Sequence, residues 1–201
     1  PIMITSYDIG NANISGSGGW HHTYSGAITA VSGSVANYSG GSGTLNNGVI
    51  EINTNTTQLF NYPSNSSPII TLYFDDYYSL NSLLVSGGNF LGNTIPGELD
   101  GLDVTIGATT ESFSTIAQGF INGSRYADDF VDFGGSSLDN LVADQIILSG
   151  FSSTWGSYNT FSIAEISLDG ELSSVSVSEP GSLALLGLGL FGLGLARKKI
   201  S

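Results

Sequence analysis

From its start to about residue 170 the chain repeats one pattern: a short run rich in β-branched and aromatic residues, then a cluster of Gly, Asn, Ser or Pro. The candidate strands fall at residues 2–7, 20–30, 49–53, 69–74, 79–86, 102–106, 111–114, 130–133, 144–148 and 161–168. Turn clusters separate them at 15–19, 39–43, 61–68, 87–101 and 134–140. Such runs suit strands far better than helices, and closely spaced turns favour antiparallel pairing. Ile70, Leu72 and Phe74 alternate with polar neighbours, as do Ala164, Ile166 and Leu168, so each set should face a core. The pattern predicts an all-β fold, an antiparallel β-sandwich over residues 1–171. No internal repeat of propeller or solenoid length is visible.

Charge narrows the function. The 201 residues carry 17 acidic and 4 basic side chains, a net charge of −13. Arg197, Lys198 and Lys199 hold three of those basic charges, leaving Arg125 alone among the first 196 residues. A surface that binds nucleic acid through its phosphates needs the opposite balance, so no nucleic-acid partner is expected. Hydrophobic residues make up 40% and charged ones only 10%, which excludes global disorder. There is no cysteine, hence no disulfide framework, thiolate metal site or thiol nucleophile. This acidic, Lys-poor, Cys-free composition resembles that of bacterial extracellular proteins. The chain opens at Pro1 without an initiator Met or a basic leader, as a processed export product or a fragment would.

Composition changes abruptly near residue 172. A Ser/Val linker at 172–178 leads to Glu179-Pro180, then to sixteen uncharged residues, 181–196, then to Arg197-Lys198-Lys199. As a helix the uncharged segment would be roughly 24 Å long, short against a hydrocarbon core of about 30 Å. It is apolar on every face, so it lacks the stripe of a surface helix. Its small residues are those tolerated in membrane helices. The basic cluster predicts a cytoplasmic end, leaving the body outside.

In order and spacing this segment resembles the PEP-CTERM sorting tail of exported bacterial proteins. Glu179 and Pro180 match the second and third motif positions, residues 181–196 the helix, and Arg197, Lys198 and Lys199 the basic end; Ser178 stands where the family has its first proline. The resemblance implies a single short hydrophobic C-terminal helix within a tail at 179–201. It further implies processing by an exosortase, a membrane protease-transpeptidase, after transient anchoring in the inner membrane. The destination would be the cell surface or the extracellular space.

Several body segments resemble discoidin-type, galactose-binding-like jelly rolls. The turn Gly43-Thr44-Leu45-Asn46-Asn47-Gly48, the strands at 69–74 and 78–85, the pair at 102–107 and 111–113, and the closing strand at 161–170 follow that family's order. In that family a glutamate of the closing strand and an Asp-Gly turn often hold a structural Ca²⁺. The resemblance therefore implies a weak calcium site at Glu165 and Asn47, with Asn in place of the family's Asp and carbonyls completing the shell.

Other candidates carry less chemistry. Trp155 and Tyr158 lie in a Gly/Ser loop, where a sugar could stack on exposed rings. Trp20, His22 and Tyr24 share one strand face and read as a core stripe. Asp75-Asp76 and Asp128-Asp129 with Asp132 lack the spacing of an EF-hand and read as solvated loops. His21 and His22 point to opposite faces of a strand, so they cannot share a metal. No nucleophile elbow, zinc-protease helix or phosphate-binding loop is present. The expectation is a non-enzymatic surface or matrix protein, structural or binding extracellular polysaccharide. The alternative is an exported glycan-active enzyme with the same tail.

Overall fold

The computed structural model describes residues 1–50, 53–88, 96–120, 126–154 and 158–173. Eleven strands account for most of them: β1 (Ile4–Asn13), β2 (Ala27–Ser32), β3 (Val35–Gly41), β4 (Gln58–Phe60), β5 (Ile69–Gly88), β6 (Leu99–Ile106), β7 (Thr109–Ser114), β8 (Ile116–Phe120), β9 (Tyr126–Asp132), β10 (Val142–Ser153) and β11 (Phe161–Leu172). Every pairing is antiparallel. Helix among the described residues is confined to the 3₁₀ turns Ser17–Gly19 and Thr44–Asn46. None of the described helices is long and apolar enough to cross a membrane. The expected helix at 181–196 lies outside the described residues.

The topology turns on β5. Its first half pairs with β1 and β10, its second half with β9 and β11. The first half belongs to the series β2-β3-β1-β5-β10-β6-β7, while the second carries β11 with β4 and β9 with β8. Two layers thus share one strand. Their inner faces meet in one cluster that includes Tyr7, Ile9, Ile70, Leu72, Leu83, Val85, Val104, Ile146, Leu148, Phe161 and Ile166. Phe161 of β11 lies between Phe60 and Phe151, its ring centroid 4.9 Å from each, and so ties β10 to the opposite layer. The alternating sets at Ile70/Leu72/Phe74 and Ala164/Ile166/Leu168 are buried as the sequence indicates.

Other elements differ from the sequence reading. The two strands expected at 69–74 and 79–86 are one, because Asp75, Asp76 and Tyr77 continue the extended backbone instead of turning. The strand expected at 20–30 begins only at Ala27; residues 20–26 make a single bridge, Tyr24 to Gly43. That approach is close enough for a Cβ on Gly26 to lie 2.4 Å from the Ser39 carbonyl. No strand forms at residues 49, 50 and 53; β3, β4 and β8 lie in segments the sequence reading left as turn or loop.

Candidate functional site

Glu165 sits mid-strand in β11. Residues 161–166 are buried without interruption, because a register shift between Ile163 and Glu165 breaks the simple alternation. Next to it runs the turn that follows the Thr44–Asn46 helix. Gly48 takes φ +75°, a left-handed conformation that suits glycine, and its amide donates to Oε2 of Glu165 at 2.9 Å. The structure therefore brings the 46–48 turn and Glu165 together. Burial pushes the Glu165 carboxyl up to about 7, while the amides of Gly48, Asn47 and Val49 pull the other way.

The polarity of this contact matters. A calcium ion requires converging oxygen lone pairs. Here an N–H group points at the carboxylate, and Oδ1 of Asn47 accepts the Val49 amide at 2.8 Å. Among the described residues no group of three or more His, Asp or Glu side chains is placed to hold a metal. In this arrangement the residues present do not fit Ca²⁺; they fit a carboxylate capped by backbone donors.

The acidic clusters separate into different roles. Asp75 accepts a hydrogen bond from the Tyr78 hydroxyl at 2.8 Å, and Asp132 accepts the Gly134 amide at 2.9 Å, both at the surface. Asp128 accepts from the Ser86 hydroxyl at 2.6 Å. Asp129 does not belong with these solvated groups. It is 2% exposed, with no hydrogen-bond partner at Oδ1. Burial, reinforced by Glu98, Asp128 and Asp100, raises its carboxyl to about 8. The sequence reading placed it in a solvated loop, although Val131 and Phe133 at i+2 and i+4 signal an inward face.

On β10, β6 and β7, Asp103, Ser112 and Ser152 line an open cavity of about 230 Å³, with Asp100, Ser114, Gly101 and Gly150 around them. The Ser112 hydroxyl donates to Asp103 at 2.5 Å. A Cβ on Gly150 would lie 2.2 Å from the Asp103 carboxylate, so the groove depends on that glycine.

Trp20 is buried, while His22 and Tyr24 are half-buried, Tyr24 packing against the core from outside any strand. The His22 Nε2 lies 2.9 Å from the Tyr38 hydroxyl, and burial lowers this imidazole to about 4. Tyr24 donates to the Tyr7 carbonyl at 2.7 Å and accepts the Gly41 amide at 2.9 Å. Tyr158 is 44% exposed just before β11, where an apolar ring face is available. Trp155 lies outside the described residues, as do Glu179, Pro180, Arg197, Lys198 and Lys199.

Comparison with known proteins supplies what geometry cannot for the tail. Residues 176–198 match the PEP-CTERM protein-sorting motif. No curated protein matches the chain. Among solved structures, the family 32 carbohydrate-binding module (CBM) of C. perfringens NanJ in complex with galactose is similar at 15% identity and TM-score 0.39, over 62% of this chain and 81% of that one. A CBM32-3 from a family 31 glycoside hydrolase of Clostridium perfringens gives 14% and 0.40, over 57% and 75%. The CBM32 of AlyQ in complex with 4,5-unsaturated mannuronic acid gives 18% and 0.38, over 63% and 82%.

Proposed function

We propose that this chain is an exported bacterial surface or matrix protein, sorted through its C-terminal segment and displaying a β-sandwich that binds or scaffolds extracellular polysaccharide without catalysis. The observation that carries the reading is the sorting motif at 176–198. In the proposed route, an inner-membrane exosortase reads Glu179-Pro180, the hydrophobic segment at 181–196 holds the chain until cleavage, and Arg197, Lys198 and Lys199 stay on the cytoplasmic side. The domain division follows: body 1–171, linker 172–178, sorting tail 179–201.

The polysaccharide part of the reading draws on the β10-β6-β7 groove. Its carboxylates accept hydrogen bonds, and its Ser hydroxyls both donate and accept, which is the chemistry a vicinal diol meets. Tyr158 adds an exposed ring for the apolar face of a sugar. The enzymatic alternative would enlist Asp129 as a protonated acid, but a side chain 2% exposed does not reach a glycosidic oxygen.

The sorting experiment measures the mature mass in an exosortase-bearing host. Pro180→Ala should leave the tail uncleaved while the body folds normally; an unchanged mature mass overturns the reading.

A further inference from the structure

The acidic charge is unevenly placed. All 17 acidic residues lie outside residues 9–50, a stretch of the chain that contains no Asp, Glu, Lys or Arg. That stretch holds β2 and β3 and all of β1 beyond Asp8. Within the described pairings β2 ends the series β2-β3-β1-β5-β10-β6-β7 and pairs only with β3. All six of its residues, Ala-Ile-Thr-Ala-Val-Ser, are exposed, with Ile28 at 52% and Val31 at 51%.

Exposed edges present unpaired N–H and C=O groups, and proteins usually guard them with Lys, Pro, inward charges or bulges. β2 has no charge and no proline; its one irregularity is a register shift between Ala30 and Ser32. The opposite edge strand, β7, carries Glu111. Two copies, each strongly negative, repel wherever acidic surfaces face one another. The neutral β2 edge is where a like-charged copy can approach without that cost.

We propose that β2 is a self-association edge: two copies of this chain pair their Ala27–Ser32 strands antiparallel about a two-fold axis, continuing the sheet from one protomer into the next. A two-fold axis normal to the sheet keeps each residue on its own face, so paired residue numbers sum to an even value and the axis passes midway between the two copies of one residue. Near the strand centre that residue is Thr29 or Ala30, both small, which lets the two backbones close. A six-residue edge buries less than a standard interface, so the dimer is weak and depends on concentration.

The cysteine-free sequence makes the test clean. Full-length chain, held in mild detergent micelles so that the apolar tail does not drive association, carries a single Thr29→Cys, Ala30→Cys or Ser112→Cys and is oxidised at rising concentration. Disulfide-linked dimer should form at residue 29 or 30 and not at 112. No dimer at either β2 position, or equal dimer at all three, overturns the proposal. Adding Ile28→Lys and Val31→Lys to the cross-linking variant should cut the dimer fraction about tenfold through like-charge repulsion across the edge. An unchanged fraction, with circular dichroism showing an intact sheet, also overturns it.

Discussion

The amide of Gly48 donates to Oε2 of Glu165 at 2.9 Å, joining two residues 117 positions apart in the chain. One buried carboxylate thereby fastens the turn after β3 to the middle of β11. A carboxylate that accepts backbone N–H groups is satisfied locally and needs no counter-cation.

Gly48→Ala should destabilise the body without any steric clash. Nothing lies within 4 Å of the added Cβ, so the cost is that of the left-handed conformation at φ +75°. That cost is about 1 kcal/mol, or about 2–4 °C in Tm for a domain of this size. A thermal melt that does not move would show that the turn relaxes freely.

Calcium should leave the Tm of the wild type unchanged at millimolar concentration. If the ion raises it, and Glu165→Gln abolishes the rise, then the turn rearranges to present carbonyls and the capped-carboxylate account fails.

The body should be more stable at pH 5 than at pH 8. Asp129 and Glu165 titrate near 8 and 7 when folded, both above the ordinary carboxylate range. Between the unfolded and folded values the native state holds the extra protons, so stability is fully present at low pH and lost as pH rises through 7 and 8. His22, lowered to about 4, works against this trend below the ordinary imidazole value, but one imidazole opposes two carboxyls. Denaturant midpoints across this range check the slope. Asp129→Asn should raise the midpoint at pH 8 and flatten the curve between pH 5 and 8, the span below its folded value over which the native carboxyl keeps a proton that the unfolded chain has lost; an Asp129→Asn curve parallel to wild type would exclude it as the source.

Phe161→Ala should cost about 3–5 kcal/mol, the range for emptying an aromatic site in a core. The ring touches Phe60 in its own layer and Phe151 in the other, so neither side collapses readily into the space. Tyr158→Ala, at an exposed position, should stay within about 0.5 kcal/mol. Urea unfolding of both variants gives the comparison.

Deleting residues 181–201 should leave the Tm of the body where it was. Among the described residues the core cluster runs from Ile2 to Leu168 and is supplied by the strands and the turns between them. A large fall in Tm would mean that the apolar segment packs against the body.

The parts of the fold legible in the sequence were those in which one side of a strand is apolar. Ile70/Leu72/Phe74 and Ala164/Ile166/Leu168 announce their faces, because period-two burial needs no knowledge of partners. β3 was hidden because Val35–Gly41 is mostly Ser, Gly, Ala and Asn, and its strand character comes from pairing with β1 and β2. β4 has only three residues, too few for a pattern. The continuity of β5 was masked by Asp75-Asp76, which local chemistry assigns to a turn and the two layers hold extended. The closeness of Glu165 to the 46–48 turn followed from a family resemblance, while the polarity of the contact depends on backbone orientation, which side-chain identity does not encode. The burial of Asp129 was legible in principle and was lost because its strand was begun at Phe130, four residues after the start of β9 at Tyr126.

Chain entry and exit share one pole of the body. The Ile2 amide donates to the Leu168 carbonyl, and the Ser173 amide donates to the Tyr77 carbonyl midway along β5. Whatever grips residue 174 and beyond therefore grips the body at its base, and a segment joined ahead of Pro1 would emerge beside it. Tyr158 precedes the first residue of β11 and the exit follows its last, so the length of that strand separates the exposed ring from the tether.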